Sequence, residues 1–265
     1  MSLLQLLLLA IVQGLTEFIP VSSSAHLILL PALIEGFQDQ GRAIDVAAHV
    51  GSLFAVLIYF RSETGRLFTG GLDTVRMRDT GDRHLFLTIA LATIPLVLFG
   101  AVLELTGLAD GLRDPRVLAT TSIVFGILLW IADRRPTVHD EMPSRWRVVA
   151  AIAVAQAIAV IPGTSRSGIT ITAARWFGYS REQSARFSML LAVPAIAASG
   201  AFATYKLFKD GHQGEWTAAL IVAVFSFLSA WLAIILFMKM TRTVSMTPFV
   251  IYRIALGIFL FILFT

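Results

Sequence analysis

"EFIPVSSSAH", residues 17–26, breaks a run of otherwise apolar sequence, and "IPGTSRSGIT", residues 161–170, breaks another. Each break puts a proline, small hydroxyl residues and ionisable side chains where the flanks read as membrane helix. Proline removes a backbone donor and disfavours helical backbone in the residue before it, so a helix is expected to stop at each site. In hydrocarbon, such irregular backbone survives only when buried in protein or lining a wet cavity. Both stretches, 2–36 and 147–178, therefore read as re-entrant helix–loop–helix hairpins, with a proline-kinked continuous span as the competing form.

The remainder of the chain fits a membrane setting. Its 265 residues are 57% hydrophobic and 14% charged, where a soluble domain carries about 25% charged residues. The mean hydropathy is +0.79, and no segment is polar enough to form a soluble domain. Cysteine is absent, which excludes disulfides, thiolate catalysis and zinc–thiolate sites. The net charge of +4 lies in loops rather than in one patch, so it argues against a nucleic-acid surface. The opening "MSLLQLLLLAIVQ" lacks a basic leader and a small-residue cleavage site, and is expected to stay in the mature protein.

Six stretches have the roughly 17–25 apolar residues a spanning helix needs: about 43–60, 84–106, 116–133, 182–205, 216–238 and 247–264. Six spans and two hairpins put twelve basic residues on one face: five in 61–83, four in 134–147, then Arg181, Lys239 and Arg242. The other face holds five: Arg42, Arg113, Arg116, Lys206 and Lys209. The basic face is then cytoplasmic, and both termini lie outside.

The two halves are weakly alike. Pro20-Val21-Ser22-Ser23 lines up with Pro162-Gly163-Thr164-Ser165, and "DPRVLA" at 114–119 with "TPFVIY" at 247–252. The chain is expected to be one membrane domain over 1–265, with repeat 1 at about 1–133, a cytoplasmic connector at about 134–147 and repeat 2 at about 148–265. A hairpin plus three spans inverts the second half relative to the first, the plan in which broken helices meet near the midplane to build a site.

The breaks carry chemistry. Glu17 lies one helical turn after Gln13 on the same face, and could bind a cation or act as a base; protonated, it could instead bond a neighbouring helix. Ser22, Ser23 and Ser24 offer a nucleophile or a helix cap, and His26 is suited to taking a serine proton. Arg166, beside Gly163, Thr164, Ser165, Ser167 and Thr170 at a helix start, suggests an anionic ligand. Guanidinium forks onto phosphate, and helix-terminal amides add to it. Arg166 paired with Glu17 across the tips is the structural alternative. Together these groups suit phosphoryl transfer, and the apolar surroundings imply a substrate with a lipid tail. Ser23 and Arg166 must then reach one phosphate.

With these motifs in hand, the chain resembles the undecaprenyl-diphosphate phosphatase family of bacterial membranes, also called bacitracin-resistance proteins. The resemblance covers nearly the whole chain and rests on "QGLTEFIPVSSSAH" at 13–26, "PGTSRSGIT" at 162–170, "FSMLLAVP" at 187–194 and "PFVIYR" at 248–253. It implies an all-α fold of six transmembrane helices and two re-entrant hairpins in an inverted repeat. It also implies hydrolysis of undecaprenyl diphosphate to the monophosphate, recycling the carrier lipid for cell-wall synthesis and conferring bacitracin resistance. Ser23, His26, Glu17 and Arg166 are the implied catalytic residues. Gln13, Ser22, Ser24, Gly163, Thr164, Ser165, Ser167 and Thr170 are implied to bind substrate, and Mg2+ or Ca2+ to bind at Glu17 with Gln13 and Asp45 as candidate helpers.

Many members carry glutamate at the position of Gln13, which leaves metal binding here mainly to Glu17 and the diphosphate oxygens. His49, one turn after Asp45, is a further candidate. The expected location is the bacterial plasma membrane, with the site opening outward; a homodimer is compatible with this picture. A polyprenyl-phosphate flippase or transporter is the alternative, since its architecture would be the same and it needs no nucleophile.

Overall fold

The computed structural model describes residues 2–34, 41–112, 114–209 and 216–264. Twelve helices follow one another, with no strand among the described residues: α1 (Leu3–Phe18), α2 (Ser23–Leu33), α3 (Gly41–Tyr59), α4 (Arg61–Val75), α5 (Gly81–Thr106), α6 (Leu108–Gly111), α7 (Pro115–Asp133), α8 (Trp146–Ile158), α9 (Arg166–Trp176), α10 (Arg181–Lys209), α11 (Trp216–Thr243) and α12 (Thr247–Phe264). Five are long and apolar enough to cross a membrane: α5, α7, α10 over Arg181–Ala201, α11 and α12. The bent pair of α3 and α4 makes a sixth if it is one span.

The helices beside the two breaks are short. α1, α2, α8 and α9 have 16, 11, 13 and 11 residues. At 1.5 Å per residue they reach about 24, 17, 20 and 17 Å, and none alone covers a hydrocarbon core of about 30 Å. α1 ends as Ile19, the residue before Pro20, turns extended at φ −76°, ψ 150°. α2 then starts from Ser22 at φ 74°, ψ 97°, and α9 starts from Ser165 at φ 67°, ψ 110°. The two turns are near-copies, but not in the register the prolines suggest. Ser22 matches Ser165, so Ser23 matches Arg166 as the first helical residue. The second turn is one residue longer between its proline and this serine, and Gly163 at φ 84° sits in that longer stretch.

The segment 61–83, expected to be a loop, contains α4. It leaves the end of α3 at 94° and packs on α5. Asp82, in the first turn of α5, accepts from Arg66 Nε at 2.7 Å and from Thr69 Oγ1 at 2.8 Å, and Thr80 caps α5 through the Arg83 amide. These long-range bonds hold a helix whose three glycines give it low intrinsic propensity.

α1 packs along α11 and α8 along α5, while α7 pairs with α12. One apolar cluster runs through both halves, from Phe18, Val56 and Ile89 to Ile152, Leu190 and Phe237. At one end, buried Asp133 accepts from Arg181 Nε and Nη2 at 2.6 and 3.0 Å and from the Met246 amide at 3.0 Å. Arg175, also buried, donates to the carbonyls of Asp133 and Arg135 at 2.9 and 2.7 Å. This hub ties the ends of α7, α9, α10 and α12 together beside the 134–147 connector, which is pinned by bonds from Val138 and His139 amides to Gly178 O. Burial raises the Tyr179 hydroxyl pKa above its ordinary value.

Candidate active site

The two turns touch. Gly163 N donates to Ser24 Oγ at 3.4 Å, and Ser167 Oγ donates to Ile19 O at 3.0 Å. Ser24 and Ser167 are equivalent positions in their helices, so each turn is held by the same serine of the other. Within each turn the pattern repeats: Ser22 and Ser24 hydroxyls lie 3.1 Å apart, Ser165 and Ser167 hydroxyls 3.2 Å. Ser165 also caps α9 by accepting from Gly168 N at 3.2 Å. Ser22 stands at the same cap position of α2 without a side-chain cap bond.

Arg253 braces the second turn from α12. It is fully buried, donates from Nη2 to Gly163 O and Thr164 O at 2.9 Å each, and from Nε to Ser122 O at 3.2 Å. A buried polar group without a partner is costly, so this arginine supplies donors that the non-helical carbonyls of the turn lack. Thr121 Oγ1 donates to the third exposed carbonyl, Pro162 O, at 2.7 Å.

At the meeting point sits Glu17. Its Oε2 accepts from Gln13 Nε2 at 2.8 Å and from Ser23 Oγ at 3.0 Å, and its Oε1 accepts from Arg166 Nη2 at 2.9 Å. His49 Nε2 lies 4.0 Å from Oε2, from α3. One carboxylate thus bridges the hydroxyl of one turn and the guanidinium of the other, which puts Ser23 and Arg166 within reach of one phosphate. Arg166 Nη1 is buried with no hydrogen-bond partner among the described residues. A cavity of about 410 Å³ opens onto this cluster, lined by Glu17, His49 and Arg166 and by residues of α5 and α10 that are apolar apart from Glu104 and Ser199. Charged groups beside largely apolar walls are what a lipid with an anionic headgroup requires.

The expected partnership of His26 with Ser23 is not formed. His26 Nδ1 donates to Ser22 O at 2.7 Å, one turn back, while Nε2 meets the Tyr252 hydroxyl at 2.5 Å with the rings stacked. Both nitrogens are engaged, and the base within reach of Ser23 is Glu17. Thr170 also points away, donating to Ser188 Oγ at 2.7 Å, and so joins α9 to α10. Ser22, Ser24, Ser165, Ser167, Gly163 and Thr164 shape and lock the turns. Like Ser23 and Gln13, which meet the cavity only through Glu17, they are not among its lining residues.

The donor set can be tested for a divalent cation. Gln13 Oε1 is fully buried and unpaired beside Glu17, and these are the hard oxygen donors that Mg2+ or Ca2+ prefers. No group of three or more His, Cys, Asp or Glu able to hold a metal occurs among the described residues, so a cation here would need further oxygens from the substrate. Asp45 lies a turn from His49, whose Nδ1 bonds its carbonyl at 2.8 Å.

A bundle with five or six candidate spans, two broken helices and a buried carboxylate–guanidinium pair beside a cavity of about 410 Å³ is a multi-pass membrane protein. Residues 6–259 match the family described as "Bacitracin resistance protein BacA", and the chain belongs to that family. It is 48% identical to the undecaprenyl-diphosphatase of Dinoroseobacter shibae and 46% to that of Jannaschia sp., in each case over 99% of both chains. It is 43% identical to the undecaprenyl-diphosphatase 1 of Pseudoalteromonas translucida over 100% of both.

Tyr252 and Arg253 are the site residues that sequence reasoning passed over. Both lie in "PFVIYR", quoted above for the resemblance, and a charge inside an otherwise apolar final span was the signal for Arg253.

Proposed function

We propose that this chain hydrolyses undecaprenyl diphosphate to undecaprenyl monophosphate and phosphate within the membrane, returning the carrier lipid to cell-wall synthesis and conferring bacitracin resistance. One observation carries the chemistry: a single carboxylate joins the Ser23 hydroxyl to the Arg166 guanidinium. A phosphoryl group carries the same charge sign as Glu17, and two of its oxygens can accept from both Nη2 and the unpartnered Nη1 of Arg166, where Glu17 offers Oε1 alone. Substrate therefore replaces Glu17 on the guanidinium and frees the carboxylate to serve Ser23.

Ser23 Oγ attacks the terminal phosphorus, its proton passes to Glu17, and the bond from that phosphorus to the bridging oxygen breaks, releasing the lipid monophosphate. Arg166 holds the equatorial oxygens as their charge grows. Glu17 hands the serine proton to the departing lipid monophosphate. Water then attacks the phosphoserine as Glu17 takes a water proton, and Glu17 returns it to Ser23 Oγ as the phosphorus–Oγ bond breaks and phosphate leaves. A divalent cation held by Glu17, Gln13 Oε1 and diphosphate oxygens would neutralise charge on the leaving group. His26 and Tyr252 hold the start of α2, and with it Ser23, in place.

The architecture behind this site is an inverted repeat of two re-entrant hairpins and six spans. It is supported by the near-identical turn dihedrals, the reciprocal serine contacts and the parallel pairings of α1 with α11 and α8 with α5. The basic face is cytoplasmic, and both termini and the mouth of the site lie outside. Phosphate release by the purified protein separates this function from a flippase. Arg166→Ala is expected to lower kcat by about 10²–10³-fold, and Ser23→Ala to abolish a phosphoserine burst with a comparable or larger loss. Near-normal turnover by Ser23→Ala would remove the covalent step; near-normal turnover by Arg166→Ala would remove the site.

A further inference from the structure

The two long seams beside the site are built differently. α3 lies so close to α11 that a Cβ on Gly51 would sit 2.1 Å from Ala223 O. Ser52 and Ser226, both fully buried, bond across the same seam at 2.9 Å. α5 and α10 pack less extensively than α3 and α11, and the cavity lies between them. Its walls are Leu96, Val97, Gly100, Ala101 and, one turn on, the exposed Glu104 of α5, Val160, and residues between 195 and 199 of α10. Each wall begins one residue after a proline inside its helix, Pro95 and Pro194, where the helix has lost a backbone bond. Val97 is 44% exposed, so this side of the cavity reaches the surface that faces lipid.

We propose that the prenyl tail of the substrate enters and leaves through the α5–α10 seam, with its first isoprenoid units against Gly100 and Ala198, and that the α3–α11 seam carries no tail. The proposal rests on the phosphatase function above and names where its lipid lies. The undecaprenyl chain is far longer than a 410 Å³ cavity can hold. Only the diphosphate and the head of the tail fit, and the remainder must pass out sideways into the bilayer. The open seam provides that exit; the sealed one would have to break buried hydrogen bonds to do so.

Gly100 gives a clean test. Only Val160 Cγ2, at 3.9 Å, lies near the point where a Cβ would stand, so a side chain can start there without strain beside the cavity, and replacing glycine favours the helix. Full-length Gly100→Leu and Ala198→Phe, in detergent, are compared with wild type on undecaprenyl diphosphate and on methyl diphosphate, a short substrate with no prenyl unit to reach Gly100 or Ala198. Both variants are expected to lose about tenfold or more in kcat/KM on the long substrate, mostly through KM, and to stay within about threefold on the short one. Equal losses on both substrates, or unchanged kinetics on both, overturn the proposal. An undecaprenyl diphosphate with a photoreactive group on its first prenyl units should label 96–101 and 195–199; label confined to α3 and α11 overturns it. If the wild type releases no phosphate at all, the phosphatase assignment fails, and the labelling still decides the seam.

Discussion

Gln13 is the residue at which the resemblance implies a glutamate, and its geometry says what that change would do. Its Nε2 donates to Glu17 at 2.8 Å, and its buried Oε1 is left without a partner. A glutamate there would set two carboxylates in contact, which is unfavourable until a cation lies between them. Gln13→Glu is therefore expected to lower thermal stability in chelator and to gain more than wild type from added Mg2+, with half-saturation at about tenfold lower concentration. Thermal unfolding against Mg2+ concentration measures this without turnover, and equal shifts in the two proteins would refute a cation at Gln13 and Glu17. Glu17, Ser23 and Arg166 were legible because polar groups beside a proline inside apolar sequence have few other uses. The partner of His26 was not. Tyr252 lies 226 residues away, and no local pattern tells which helix will face which. Sequence proximity suggested Ser23 as that partner, whereas the start of α2 turns the imidazole back onto Ser22 O.

Between the helices, the turns impose tighter limits than the helices do. Gly163 combines φ 84° with a crowded setting, in which a Cβ would fall 2.1 Å from Thr121 Oγ1 and 2.7 Å from Leu118 O. Gly163→Ala is expected to cost about 1–3 kcal/mol from the backbone conformation alone, plus the displacement of Thr121 from Pro162 O. Because the same turn leads into Arg166, activity should fall more than folded yield. Phosphate release per folded molecule, after size-exclusion chromatography, checks this, and wild-type specific activity would show that the turn tolerates a side chain. The positions of both breaks were readable from Pro20 and Pro162, but their mutual register was not. Prolines mark where a helix must stop, while the next helix starts where a serine reaches positive φ, and the two events are spaced differently in the two turns. α4 was hidden for a related reason: its glycines and charges read as loop, and the contacts from Arg66 and Thr69 to Asp82 that hold it come from the next element.

Across the whole molecule, two polar clusters join the halves besides their apolar packing and the α3–α11 seam: the reciprocal turns around Glu17 and the hub around Asp133. The hub lies nine residues along α9 from Arg166, about 14 Å at 1.5 Å per residue, and no residue of it lines the cavity. It should therefore govern stability without setting the chemistry. Asp133→Asn keeps the size of the side chain and one acceptor, but leaves Arg175, 2% exposed, and the partly exposed Arg181 facing a neutral group. Removing one partner from a buried pair of this kind costs about 3 kcal/mol. The thermal midpoint of Asp133→Asn in detergent should fall by several degrees, while KM for undecaprenyl diphosphate, measured well below that midpoint, stays at the wild-type value. If KM rises with no loss of stability, the hub is coupled to the site through α9, and the turns are not positioned by their own contacts and Arg253 alone. An unchanged KM places the support of Glu17, Ser23 and Arg166 within the crossed turns themselves. Two weakly similar halves can then build one site without matching residue for residue, because the contacts that position the chemistry are those each turn makes with the other.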